Sequence, residues 1–277
     1  MGRSKAIVTT LGTLTVQRQG KHTFTRGNMK STLNKMIAVM SLIGLWYTLV
    51  TLNVMWPFQF GNLPGPDTVF RVWFKLLGDL SYYDNITVSS IRVLAGIMIG
   101  LVTAVPLGLI IGLSAKTSDI VFTNLEIFRP IPLIAYLPVA MLLFKTIEAS
   151  IVFITFTGAF FPILINVVQA TKRVPVQLVQ TAYNLGCKPH KLILRVYLPA
   201  IGPDIFTGLS VGTGASWMGV ITGEMMSGQT GIGYSTWQAY QLLDYSQSMI
   251  GMFSIGLLGF VFTRCVRFTE KIAIRWL

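Results

Sequence analysis

A chain of 277 residues with 52% hydrophobic and only 12% charged side chains does not have the make-up of a soluble globular protein, whose charged share is about 25%. Its net charge of +12 sits beside apolar runs and forms no aromatic-interleaved patch, so it reads as the positive-inside bias of a membrane protein and argues against a nucleic-acid partner. Cys187 and Cys265 lack any paired spacing, which excludes a disulfide framework and a thiolate metal centre.

Residues 1–35 hold Arg3, Lys5, Arg18, Lys21, Arg26, Lys30 and Lys35 and no acid. The apolar patch at 6–16 is broken by threonines and Gly12, unlike the continuous core of a signal peptide. This stretch is expected to be a mostly disordered basic tail beside anionic lipid headgroups.

Runs of about 20 apolar residues can cross a bilayer as helices. Residues 36–54, 93–115, 149–171, 205–226 and 248–266 qualify. Residues 120–144 are interrupted by Pro130, Pro132 and Pro138, and are expected to cross as a kinked or broken helix. The result is an all-α integral membrane protein with about six spans. Its parts are a tail at 1–35, a membrane domain at 36–266 and a second tail at 267–277. The basic N-tail, Lys116, the 172–195 loop and the C-tail (Arg264, Arg267, Lys271, Arg275) fall on one side, which is expected to be the cytoplasm. Asp67, Asp79, Asp84, Glu148 and Asp244 fall on the other.

Between the first two spans, the Leu63-Pro64-Gly65-Pro66 turn precedes an expected helix capped by Asp67. Val69, Phe70, Trp73, Phe74 and Leu77 give it one apolar face, suited to the membrane interface or to packing on the protein. Glycines four apart, at Gly96/Gly100, Gly108/Gly112, Gly208/Gly212 and Gly219/Gly223, mark two spans as a tightly packed interior or a dimer seam.

Polar groups inside spans are expensive unless paired or wet. Asn166, Gln169, Thr213, Ser216, Trp217 and Glu224 are candidates for a translocation path, with interhelical hydrogen bonding as the competing reading; Thr222 belongs to the same set. Glu224, near the end of its span, is expected to pair with a basic group or to help a gate. No chain of acids crosses the spans and no ionisable group is expected at mid-membrane, which argues against a secondary transporter or channel driven by an ion gradient. There is no GxxxxGK[ST] phosphate loop, no HExxH motif and no nucleophile–base pair. His22 and His190 are isolated. The chain is therefore read as a non-enzyme without an ATPase site or cofactor of its own.

The most polar stretch between spans is residues 174–203. Pro175 suits a helix start and Gly186 a helix end, and Pro189 begins a second helix that Leu198-Pro199 is expected to stop. Gln180-Thr181-Ala182, then Gly186, then Val196-Tyr197-Leu198-Pro199 resembles the EAA motif of ABC importer permeases. Ala182, Gly186, Leu198 and Pro199 are in register, whereas Gln180 and Thr181 replace the motif's Glu-Ala. SSIRVLAG at 89–96, RPIPLIAYLPV at 129–139, FTGLSVGTGASW at 206–217, GEMM at 223–226 and GIGY at 231–234 are similar to the permease group for nitrate, bicarbonate, cyanate, taurine and aliphatic sulfonates.

This resemblance implies a type I ABC importer permease fold in the bacterial inner membrane, with nitrate or bicarbonate favoured as cargo. It implies a second permease copy, an external substrate-binding protein and two cytoplasmic ATPase subunits that bind ATP and Mg. Those ATPases would couple through Gln180, Thr181, Ala182, Gly186, Leu198 and Pro199.

Overall fold

The computed structural model describes residues 26–53 and 60–274. Met1–Phe60 and Gly61–Leu277 form two compact units. In the first, α1 (Arg26–Thr51) is one helix. It includes residues 26–35, which correct the expectation of a disordered tail there; residues 1–25 lie outside the described part. The apolar portion of α1 is Met36–Thr51, shorter than the about 20 residues of a full crossing.

The second unit is a helical bundle among its described residues. In chain order it contains α2 (Pro66–Leu76), α3 (Leu80–Leu113), α4 (Ala115–Phe128), α5 (Leu133–Leu143), α6 (Ile147–Arg173), α7 (Val176–Asn184), α8 (Pro189–Ser227), α9 (Ile232–Gln241) and α10 (Tyr245–Ala273). Among the described residues, α3, α6, α8 and α10 are each long and apolar enough to cross a membrane, and α4 with α5 forms a pair bent by 99°. With that pair taken as one span, five spans lie among the described residues; the expected first span, 36–54, ends outside them.

Central α6 is sandwiched between α3 and α8. A Cβ added at Gly96 would lie 2.6 Å from Thr155 Cγ2, one at Gly100 would lie 2.9 Å from Ala159, one at Gly108 would lie 2.7 Å from Val167, and one at Gly112 would lie 2.5 Å from Thr171. The partner advances along α6 in step with the glycine, so α3 and α6 run parallel. On the other side Gly208 meets Ile163, Gly212 meets Ala159, Gly219 meets Ile154 and Gly223 meets Ile151. That order is reversed, so α8 is antiparallel to α6. All four glycine pairs are thus interior seams against a helix that lacks such a pair itself. Dispersion between closely approaching backbones stabilises this packing where lipid supplies no hydrophobic drive.

The parallel register also decides what the bent pair is. The chain leaves α3 at one end of the bundle and must enter α6 at the opposite end. Residues 114–146 therefore traverse its thickness, as a broken span and not a re-entrant loop. Pro130 and Pro132 sit in the break, and the Tyr136 hydroxyl spans it by donating to the Phe128 carbonyl at 2.6 Å.

Two helix ends differ from expectation. Gly65, not Asp67, caps α2, and Pro66 takes the first helical position with Asp67 in the first turn; proline's fixed φ suits that place. Val69 on α2 is buried against the bundle, where the helix packs on α10, while Phe74 faces outward. At the other end, α10 continues to Ala273 with no break at the expected boundary of residue 266.

Candidate functional site

The loop read as coupling element forms two helices joined by a tight turn. Gly186 has φ +77°, and its N–H bonds to the Tyr183 carbonyl at 2.9 Å while the Cys187 N–H bonds to the Ala182 carbonyl at 3.0 Å. This is the double-bonded Schellman end, which a residue with a side chain enters only at a steric penalty. Leu178 and Leu185 project outward at 51% and 83% exposure, and Gln180 and Thr181 are also exposed. Ala182 is half-buried.

One expectation fails here. Leu198-Pro199 does not stop the second helix: Pro189 opens α8, which runs unbroken to Ser227. Residues Ile193–Tyr197 adopt the wider π pitch just before the proline. That shift of hydrogen-bond register accommodates a residue without an N–H. Leu198 and Pro199 are half-buried at this joint, so the loop is mechanically continuous with a spanning helix.

At the end of the bundle where α3 and α6 begin lies a buried ionic cluster. Glu224 has no solvent exposure. Its Oε1 accepts from Arg92 Nη1 and from the Ser89 hydroxyl, each at 2.7 Å, and its Oε2 accepts from the Gly233 N–H at 2.9 Å. Arg92 also donates through Nε to Glu148 Oε2 at 2.8 Å, through Nη2 to Glu148 Oε1, and through Nη1 to the Thr230 carbonyl at 2.6 Å. The Ser89 hydroxyl accepts from the Ile232 N–H at 3.0 Å, and Asn85 Oδ1 accepts from the Gly231 N–H at 3.0 Å. The cluster ties α3, α6, α8 and the start of α9 together.

The expected pairing of Glu224 with a basic group is what the structure contains, and Arg92 is the partner that sequence reasoning did not name. Asn85, Ser89 and Arg92 share one helix face by their spacing. That signal was readable, but they precede the apolar run at 93–115.

The remaining path candidates separate by location. Thr213 donates to the Leu209 carbonyl within its own helix at 2.8 Å, and Ser216 donates across to the Thr155 carbonyl of α6 at 2.9 Å. Trp217 packs edge-on to Phe262 with centroids 5.2 Å apart. All three are buried. Thr222 bonds back to the Met218 carbonyl at 2.8 Å. Gln169 is exposed and Asn166 half-buried.

Asn166 lines a cavity of about 290 Å³ with Arg129, Tyr136, Thr157, Phe128 and Phe161. Its α6 wall, residues 157–166, is the middle of that helix, so Arg129 lies at mid-depth in the bundle. This corrects the expectation that no ionisable group occupies the mid-membrane level; the break after α4 places Arg129 there. A guanidinium at the bilayer centre costs about 2.5–3.5 kcal/mol on insertion scales. Among the described residues Arg129 has no ion-pair partner.

Parallel and antiparallel spans around a central helix, a broken span beside a mostly apolar mid-depth cavity that holds Arg129 and Asn166, and an exposed helix-turn-helix whose second helix continues into a span are the architecture of a multi-helix membrane protein of the importer-permease class. The chain belongs to the family of binding-protein-dependent transport system inner membrane components, which matches residues 96–275. It therefore has the all-α type I ABC importer permease fold. It is 39% identical over 219 residues to a Methanocaldococcus jannaschii chain described as an ABC transporter permease protein, covering 77% of this chain and 82% of that one. It is 29% identical over 248 residues to a nitrate import permease protein of Synechocystis, covering 86% and 88% of the two chains. It is 31% identical over 191 residues to a bicarbonate transport system permease protein of Synechococcus elongatus, covering 68% and 69%. Such permeases are the membrane components of their transporters and carry no ATPase site of their own.

Proposed function

We propose that this chain moves a small anion, nitrate or bicarbonate ahead of a sulfonate, through a dimer of two copies into the cytoplasm, with both termini on the cytoplasmic side. Separate ATPase subunits bind ATP and Mg and seat α7 and the following turn in a cleft, and an external binding protein delivers the cargo. The observation that carries this reading is the joint at residues 193–199. The second helix of the loop runs without a break from Pro189 into a spanning helix, and α7 is joined to it through the tight Gly186 turn, so a displacement of α7 is passed through that turn to α8. Asn166 and Gln169 belong to the path, and Glu224 to its gate. Thr213, Ser216 and Trp217 border the path from within the helix packing.

The test replaces Leu178 and Leu185 with Asp. In membranes carrying the whole transporter, ATPase subunits no longer co-purify with the variant and ATP-driven uptake of nitrate or bicarbonate stops. Undiminished assembly and uptake refute the docking role. Uptake that survives ATP depletion and falls with the proton gradient would instead identify a secondary transporter.

A further inference from the structure

We infer that the cavity at the break between α4 and α5 is the mid-membrane binding station for a small oxyanion, with Arg129 as its recognising cation; this rests on the proposal that the chain is an anion permease.

The donors around the cavity point to an anion. Thr157 donates its hydroxyl proton to the Phe153 carbonyl at 2.8 Å, and Tyr136 donates its own to the Phe128 carbonyl at 2.6 Å. Asn166 Nδ2 spends one N–H on the Pro162 carbonyl at 2.8 Å. The side-chain donors that remain among these lining residues are the guanidinium of Arg129 and the second amide N–H of Asn166. Glu126, three residues before Arg129, is not among the lining residues. An arginine without a carboxylate at this depth demands a counter-charge, and its planar fork of N–H groups matches two oxygens of an oxyanion.

Size and walls agree with this assignment. A volume of about 290 Å³ takes a three- or four-atom oxyanion with some of its water, one water's share of the liquid being about 30 Å³. Phe128, Ile131 and Phe161 supply apolar walls beside the guanidinium, which offer the anion fewer competing polar partners than open solvent does. The α6 side stays open to contact with α8 because Gly158 has no side chain; a Cβ there would lie 2.8 Å from the Ala215 backbone.

Two measurements test the assignment. In the first, Val211→Cys, an exposed lining position, is placed in a chain carrying Cys187→Ser and Cys265→Ser. A negatively charged thiosulfonate reagent is expected to label it about tenfold faster than a positively charged one of similar size. Nitrate or bicarbonate slows that labelling. Arg129→Gln abolishes the charge preference and Arg129→Lys keeps it. An unchanged preference in Arg129→Gln overturns the proposal.

The second measurement uses proteoliposomes holding the complete transporter with its binding protein, and nitrate, bicarbonate and ethanesulfonate as probes. Arg129→Gln is expected to lose uptake by roughly tenfold or more, the effect of removing a hydrogen bond to a charged group. ATP hydrolysis continues. Uptake equal to the unsubstituted chain overturns the proposal. If the unsubstituted chain moves none of the three anions, the permease reading for these anions fails, and the labelling preference still decides the role of Arg129.

Discussion

Arg92 and Glu224 stand 132 residues apart in the chain and 2.7 Å apart in space, and their contact closes the end of the bundle at which α3 begins and the α8 span ends. Arg92 serves a second carboxylate, that of Glu148, whose side chain is 57% exposed, so one partner is sealed and the other reaches solvent. Replacing a buried pair by apolar groups is often neutral, whereas removing one member strands the other. Glu224→Ala is therefore expected to destabilise the bundle by about 3–5 kcal/mol. The double variant Glu224→Ala with Arg92→Met should cost less than the single one, because Glu148 can be hydrated. Thermal unfolding of the detergent-purified chain measures both.

The glycine seams predict a positional contrast. Gly96→Ala places a methyl 2.6 Å from Thr155 Cγ2 and 2.8 Å from the Phe156 backbone nitrogen, where the backbone cannot retreat. A cost of about 1–3 kcal/mol is expected. Gly256→Ala on α10 meets nothing within 4 Å, and in a helix it should be neutral or stabilising by about 0.5–1 kcal/mol. Equal unfolding temperatures for the two variants would refute the seam.

Gly186 separates backbone strain from steric bulk. A Cβ there meets nothing within 4 Å, so the only obstacle to Gly186→Ala is its φ of +77°, a penalty of about 1–2 kcal/mol. Gly186→Asn should restore much of the loss, since asparagine visits the left-handed region more readily. ATP-driven uptake ranked Gly, then Asn, then Ala is the expected result. The opposite order of Asn and Ala would show that the turn is not held by conformation.

Proposed orientation is open to a labelling test. Cys187 and Cys265 are free, the first half-buried and the second exposed, and both belong on the cytoplasmic side in the proposed topology. A membrane-impermeant maleimide should leave intact cells unlabelled and label Cys265 in inside-out vesicles. Labelling of intact cells would invert the topology.

Read along the chain, apolar run lengths and charge asymmetry determined that this is a helical membrane protein, and the resemblance of Ala182, Gly186, Leu198 and Pro199 to the EAA motif implied an importer permease. The Gly186 turn was legible because a helix end with φ above zero is set by its own few residues. The Leu198-Pro199 joint was misread as a helix end because the π turn before it is a hydrogen-bond register, invisible in composition. The extent of α3 was misread because Arg92 and its polar neighbours hide the first part of a helix that begins at Leu80.

Tertiary structure alone decided the rest. Glycine pairs announce close approach but not the partner, and only the register against α6 shows that α3 runs parallel to it and that the proline-broken segment crosses. Glu224 in isolation called for a cation, yet Arg92 was supplied by folding, over a separation that no local pattern encodes. Arg129 was visible as a residue from the start. Its meaning came from depth, because the break in the span sets this exposed side chain at the level of the middle of α6.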